Sequence, residues 1–210
     1  MKLNDLGIKN GCDKSDTHHT FKGETYLDVY EKYFSKFKDK PIRFLELGVR
    51  EGASIKIWDE YFNNSELILG IDIMEKCKVF STDSISIEIG SQADEDFIEK
   101  IIKTYGPFDI ILDDASHIND LSVKSFDLLN AHVRNGGLYI IEDLRNSYED
   151  LTETVKSWPG MHLNTDTNFN NAQTRKYLDK RILDIVKELD YRTSSFRAVH
   201  FHSQMVILEK

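Results

Sequence analysis

The apolar positions of this chain switch repeatedly between two periods. Between Tyr26 and Phe37 they fall at Tyr26, Val29, Tyr30, Tyr33, Phe34 and Phe37, the i, i+3, i+4, i+7 stripe of an amphipathic helix, which Pro41 stops. Strand-like and helix-like segments then alternate. A strand is expected over 42–47 (I-R-F-L-E-L), a helix over 54–62, a strand over 67–73 (L-I-L-G-I-D-I) and a short strand over 84–89. A helix over about 94–105, a strand over 108–113, a helix over about 119–133 and a strand over 138–142 continue the series. Several strands are nearly continuous apolar runs, as expected when helices cover both faces of a parallel sheet. The βαβα rhythm predicts an α/β doubly wound fold.

The rhythm breaks after Leu144. Residues 157–172 are rich in Asn, Thr and Gly and carry no period, a length suited to a lid or binding loop. A helix over about 173–189 follows. The chain closes with S-F-R-A-V-H-F (195–201) and Q-M-V-I-L-E (204–209), which lie too close in sequence for a parallel crossover and must pair antiparallel. Alternation places His200 and His202 on one face, where a packed, hydrogen-bonded pair is expected. Residues 1–22 are polar without a clear period, with His18 and His19 among them. The expected organisation is one domain: an N-terminal extension and helix over 1–40, and the main body over 41–210.

Composition narrows the function. The 210 residues suffice for one full core, and 40% hydrophobic with 30% charged residues is ordinary for a globular protein. A net charge of −9 without a Lys/Arg-dense stretch argues against nucleic acid as a partner. Cys12 and Cys77 form no zinc or redox spacing and are expected as reduced thiols. The opening M-K-L-N-D-L-G-I-K-N-G lacks the apolar centre of a signal peptide, and no apolar run approaches the ~20 residues of a membrane span. A cytoplasmic protein with no membrane partner is expected.

Two apolar runs end in carboxylates: F-D-I-I-L-D-D-A-S-H (108–117) and G-G-L-Y-I-I-E-D-L (136–144). Side by side and parallel, they would gather Asp113, Asp114, Glu142 and Asp143 at one sheet edge with His117 beside them. Like charges that close are costly unless a cation sits among them. A hard divalent ion next to a histidine base answers that need. Glu142 and Asp143 are adjacent, so on a regular strand they point apart, and both reach one ion only if the backbone kinks. Asp113 is expected either to face a cofactor or to serve a structural role.

An earlier turn, L-E-L-G-V-R-E-G-A-S, places Glu46, Gly48 and Gly52 between a strand and a helix that starts near Ser54. Gly48 permits a sharp turn and close approach of a ligand, and the helix directs free N–H groups towards it. Asp72 at the end of the next strand can accept ribose hydroxyls, which makes this a nucleoside-binding layout. The spacing is E-x-G-x-x-x-G, not the dinucleotide fingerprint, and the glutamate suits a cationic or zwitterionic ligand.

In order, E-L-G-V-R-E-G, G-I-D-I, G-S-Q-A-D (90–94) and the two acid-ended runs resemble class I S-adenosylmethionine-dependent methyltransferases. Within them they are most similar to the metal-dependent sugar O-methyltransferases of macrolide biosynthesis and their relatives in cephalosporin and rhamnosyl tailoring. The N-terminal G-C-D-K-S-D-T-H-H also resembles that group, with Cys12 where threonine is more usual and Ala115 where glycine is common. The resemblance implies a Rossmann-like seven-stranded sheet. It implies that Glu46, Gly48 and Gly52 surround the methionine part of S-adenosylmethionine, that Asp72 holds the ribose, and that Ser91 and Gln92 lie near the adenine. It further implies that Asp114, Glu142 and Asp143 bind Mg2+ and that His117 is the general base. The expected acceptor is a small, carbohydrate-containing molecule. Catechol methylation and a non-catalytic, cofactor-binding partner subunit are the competing readings. The Trp58 and Tyr/Phe positions are expected in the core or at a subunit interface, which leaves a homo-oligomer open.

Overall fold

The structure is a computed structural model and describes residues 1–15, 23–156 and 169–210. His18, His19 and residues 157–168 of the aperiodic loop lie outside the described residues. Five parallel strands, β1 (Arg43–Leu47), β2 (Leu67–Asp72), β3 (Ile85–Ile89), β4 (Phe108–Asp113) and β5 (Val133–Ile141), join an antiparallel pair, β6 (Ala198–His202) and β7 (Met205–Glu209), in the order β3-β2-β1-β4-β5-β7-β6. This is the doubly wound, mostly parallel seven-stranded sheet with a C-terminal hairpin expected from the sequence.

Alternation along each strand feeds two cores. Phe44, Ile68, Ile110, Leu112, Leu138, Ile140 and Ile207 face α1 (Leu3–Asn10), α2 (Tyr26–Phe34) and α3 (Ala53–Tyr61). Leu45, Leu69, Ile71, Ile111, Tyr139, Ile141 and Leu208 face α4 (Glu95–Tyr105), α5 (Asn119–Leu129) and α7 (Asn171–Asp190), with the short α6 (Thr152–Lys156) lying between α5 and α7 in sequence. Burial on both faces explains why the strands read as unbroken apolar runs.

Local signals set the helix starts. Thr25 and Asp28 form a capping box at α2, with Thr25 N–H donating to Asp28 Oδ2 (3.0 Å) and Asp28 N–H to Thr25 Oγ1 (3.1 Å). Asp94 caps α4 through Phe97 N–H (3.1 Å). Tyr33 packs against both His200 and His202, with ring centroids 5.4 and 5.6 Å away, and its hydroxyl meets His202 Nε2 at 2.8 Å. Both histidines of the pair are therefore packed, but only His202 is hydrogen-bonded: His200 Nε2 has no hydrogen-bond partner among the described residues and lies 3.7 Å from Glu209 Oε2. Among the described residues no helix is long and apolar enough to cross a membrane.

The elements depart from the sequence reading most at the N-terminus, around β5 and at the penultimate strand. Helix α1 occupies residues that read as aperiodic, because its eight residues bury only Leu3, Leu6 and Gly7, too few positions to display a period. Strand β5 begins at Val133 rather than 138, running through Gly136 and Gly137 with a register shift against β4, and α5 accordingly stops at Leu129. The penultimate strand starts at Ala198, three residues later than expected.

Candidate active site

Register across the parallel strands aligns Ile71, Leu47, Asp113 and Ile141 in one row. The residues that follow each of them are Asp72, Gly48, Asp114 and Glu142. Four candidate site residues thus emerge side by side at the carboxyl edge. They flank the point where the strand order reverses between β1 and β4, the place where open α/β sheets bind ligands. A cavity of about 740 Å3 opens there, and its walls include Gly48, Asp72, Ser91, Gln92, Asp114, His117, Glu142 and Asp143.

On the glycine side, Gly48 has φ +93° and a Cβ there would stand 2.3 Å from the Asp114 carbonyl oxygen, so only glycine fits. Gly52, φ +71°, is the N-cap of α3 and lies under the Phe80 ring, while Ala53 and Ser54 of the first turn line the cavity. Asp72 Oδ2 accepts from Val49 N–H and Arg50 N–H, both at 2.9 Å, and Oδ1 from Met74 N–H at 2.8 Å. The carboxylate therefore clamps the glycine turn and retains acceptor capacity for a hydroxyl at Oδ1. Glu46 sits behind the wall: it is fully buried, accepts from Trp58 Nε1 (3.1 Å), and burial pushes its carboxyl up to about 7.

Asp113 likewise points away from the cavity. It accepts from Ser125 Oγ (2.7 Å) and Gln92 Nε2 (3.1 Å), and burial raises its carboxyl to about 6. Gln92 in turn accepts from Ser116 N–H (3.0 Å), which ties the loop after β3 to the loop after β4. Of the two readings open for Asp113, the geometry matches the structural one. Ser91 and Gln92 reach the cavity wall beside Gly90, Ile73 and Met74.

On the acidic side, the backbone kinks where one is needed. His117 and Asp143 both adopt left-handed conformations at φ +54°, uncommon for residues other than glycine. The kink lets Asp143 turn to the same side as Asp114. His117 Nε2 lies 3.5 Å from Asp143 Oδ2 and 3.9 Å from Asp114 Oδ1, and ligand atoms of Asp114, His117 and Asp143 all fall within 4.8 Å of one another. Glu142 stands outside that trio. It is 2% exposed, with one carboxylate oxygen accepting from the Tyr30 hydroxyl and the other from Lys14 Nζ at 2.6 Å. Lys14 also donates to Asp114 Oδ2.

Lys14 is 5% exposed and carries the charge that the acids require. Burial works against its ammonium, but Asp114 and Glu142 outweigh that and hold its proton well above the usual lysine range. Tyr26 Oη donates to Asp143 Oδ1 (2.9 Å), and burial holds the Tyr26 and Tyr30 phenols well above their usual range, so both remain donors. The donor set fits a hard cation. Carboxylate oxygens from two strand ends already converge on one positive group, and a histidine adjoins them.

Four positioning residues escape a reading of the sequence. Lys14 is visible in D-K-S-D, and Tyr26 and Tyr30 in the helical stripe, where a core role masks their hydroxyls. Asn171 is fully buried at the start of α7 and donates to the carbonyls of His117 (2.6 Å) and Asn146 (2.9 Å), bracing the left-handed turn at His117. No periodic signal reveals it.

No protein-family model matches the chain. The chain is similar to the 8-demethyl-8-alpha-L-rhamnosyl tetracenomycin-C 2'-O-methyltransferase of Streptomyces olivaceus, 28% identical over 98% of this chain and 53% of that protein. It is also similar to the L-olivosyl-oleandolide 3-O-methyltransferase of Streptomyces antibioticus, 31% identical over 88% of this chain and 45% of that one. Among solved structures, the MycE methyltransferase from the mycinamycin biosynthetic pathway, in complex with Mg and SAH, superposes with a TM-score of 0.79. It is 29% identical, over 100% of this chain and 54% of that chain. The chain thus spans about half the length of the relatives it matches.

Proposed function

We propose, for a chain whose homologues are sugar O-methyltransferases and whose sheet is the Rossmann-like methyltransferase fold, that it is itself an S-adenosylmethionine- and Mg2+-dependent O-methyltransferase. Its acceptor is a hydroxyl on a sugar or a glycosylated small molecule. The observation that supports this most is the aligned row at the carboxyl edge, which sets the glycine turn and Asp72 in one cavity with Asp114, Glu142, Asp143 and His117.

Each part then has a task. The Gly48 turn and the first turn of α3 receive the methionine portion, with Glu46 and Gly52 shaping the turn from behind. Asp72 Oδ1 takes a ribose hydroxyl, and Ser91 and Gln92 border the adenine. Asp113 holds Gln92 in place both directly and through Ser125. Asp114, Glu142 and Asp143 would hold Mg2+, which supplies Lewis acidity that lowers the pKa of an acceptor hydroxyl. A sugar hydroxyl is a weak acid, so a positioned base is still needed. His117 takes that proton as the acceptor oxygen displaces sulfur from the methyl carbon. The N-terminal segment belongs to the site through Lys14, Tyr26 and Tyr30, although 1–40 reads as an extension in sequence.

The test combines the protein with S-adenosylmethionine, Mg2+ and a panel of rhamnosides and olivosides, read by the mass gain of one methyl. Transfer that EDTA stops and that His117→Ala abolishes, with cofactor affinity retained by calorimetry, is the expected result. Transfer to catechols but to no sugar hydroxyl would overturn the acceptor class. Cofactor binding with no transfer to any hydroxyl would favour a non-catalytic subunit.

A further inference from the structure

Glu142 already accepts a hydrogen bond at each oxygen, from Tyr30 and from Lys14, and an ion placed between Glu142 and Asp114 would meet the Lys14 ammonium that bridges them. Of the two donors, Tyr30 is the fixed one. It is fully buried on α2, stacked on Phe34 at 4.8 Å and edge-on to Trp58 at 5.8 Å. Lys14 is the movable one. It reaches in on a long side chain from the short turn Asp13–Ser15, whose residues Asp13 and Lys14 line the cavity with Gly11 and Cys12.

The geometry points to Lys14 as an internal, exchangeable cation: its ammonium bridges Asp114 and Glu142, and a divalent ion reaches Glu142 by displacing it. This rests on the metal-dependent reading above. Metal loading is then an exchange of one cation for another within the cluster, not the filling of an unbalanced acidic hole. Two consequences follow. The metal-free protein keeps its acids from repelling one another, because Lys14 holds them together. Binding the ion frees the turn over Asp13–Ser15, so the same event that completes the acidic site alters the N-terminal wall of the cavity.

The exchange is tested on the wild-type protein by lysine acylation footprinting with an N-hydroxysuccinimide acetate reagent, read by mass spectrometry, in EDTA and in saturating Mg2+. Calorimetric Mg2+ titrations of wild type and Lys14→Met accompany it. Lys14 is expected to be protected in EDTA and labelled at the rate of surface lysines in Mg2+. Lys14→Met is expected to bind Mg2+ about tenfold tighter or more, since no ammonium need be removed from a buried pair. If Lys14→Met folds only in the presence of Mg2+, that too supports the exchange. Lys14 that stays protected while calorimetry shows Mg2+ bound overturns the exchange and leaves the metal reading standing. Absence of Mg2+ binding in both proteins overturns the metal reading itself.

Discussion

Gly48 lies against the backbone of Asp114: the space its missing Cβ would fill is 2.3 Å from the Asp114 carbonyl oxygen and 2.8 Å from Ala115 Cα. The same two segments are tied by Asp114 N–H donating to Leu47 O at 2.9 Å. The cofactor half and the acidic half of the site are therefore built on one contact. Gly48→Ala must both strain a backbone at φ +93° and push the Asp114 loop outward. It is expected to destabilise the protein by about 2–4 kcal/mol in urea unfolding. Calorimetry should show S-adenosylmethionine and Mg2+ binding weakened together. Loss of one without the other would separate the halves.

Much of this site is legible in the amino-acid sequence alone, for a physical reason. Buried parallel strands must be apolar until they reach the sheet edge, so the first polar residues after each run mark the edge; Asp72, the Asp113-Asp114 pair and Glu142 stand out that way. Glycine at 48 is legible because only a glycine tolerates that turn. What supports the edge from outside is not legible. Lys14 and Tyr30 act 128 and 112 residues away in sequence from Glu142, and Asn171 acts 54 residues from His117. Such contacts follow no period, and a tyrosine in an apolar stripe looks the same whether its hydroxyl is used or not. Asp113 and Glu46 show the converse limit. Their chemistry suggests a ligand, but Asp113 lies one residue and Glu46 two residues short of the edge row, and both are buried.

Asn171 holds the His117 turn through the main chain. Its Nδ2 donates to His117 O (2.6 Å) and its Oδ1 accepts from Asn119 N–H (3.0 Å), so one side chain fixes both ends of the turn that carries the histidine. Asn171→Ala is expected to lower kcat at least tenfold while KM for S-adenosylmethionine changes little, because the side-chain hydrogen bonds of Asn171 run to His117, Asn119 and Asn146 rather than to Gly48, Asp72, Ser91 or Gln92. Asn171→Asp keeps the acceptor and loses the donor to His117, and should resemble the alanine variant. Equal losses in stability without a kcat effect would make the residue purely structural.

Glu46 predicts a pH dependence of stability. Its folded carboxyl titrates near 7 against an ordinary 4.5, because burial disfavours its charge. The native state therefore binds more protons than the unfolded state between those values, and stability from this group falls as pH rises from about 4.5 to about 7. Glu46→Gln keeps an acceptor for Trp58 Nε1 and removes the titration. It is expected to flatten that part of the profile and to gain on the order of 1–3 kcal/mol on wild type at pH 8, measured by urea midpoints across pH. An unchanged slope would show that Glu46 titrates in its ordinary range.

His117 and Glu142 compete for a place in the proposed metal site. Ligand atoms of Asp114, His117 and Asp143 cluster within 4.8 Å, whereas Glu142 is engaged by Lys14 and Tyr30. A histidine bound to the ion through Nε2 has no lone pair there for the acceptor proton, so base and ligand are exclusive roles for that nitrogen. Mg2+ also prefers oxygen donors, which favours Glu142 over the imidazole. His117→Ala is accordingly expected to keep Mg2+ affinity within about threefold, and Glu142→Gln to weaken it by about a hundredfold, as removal of one charged ligand does. Calorimetric titration of both variants decides the matter. If His117→Ala loses the ion and Glu142→Gln keeps it, the trio seen in the structure is the metal site, and the proton must go to another group.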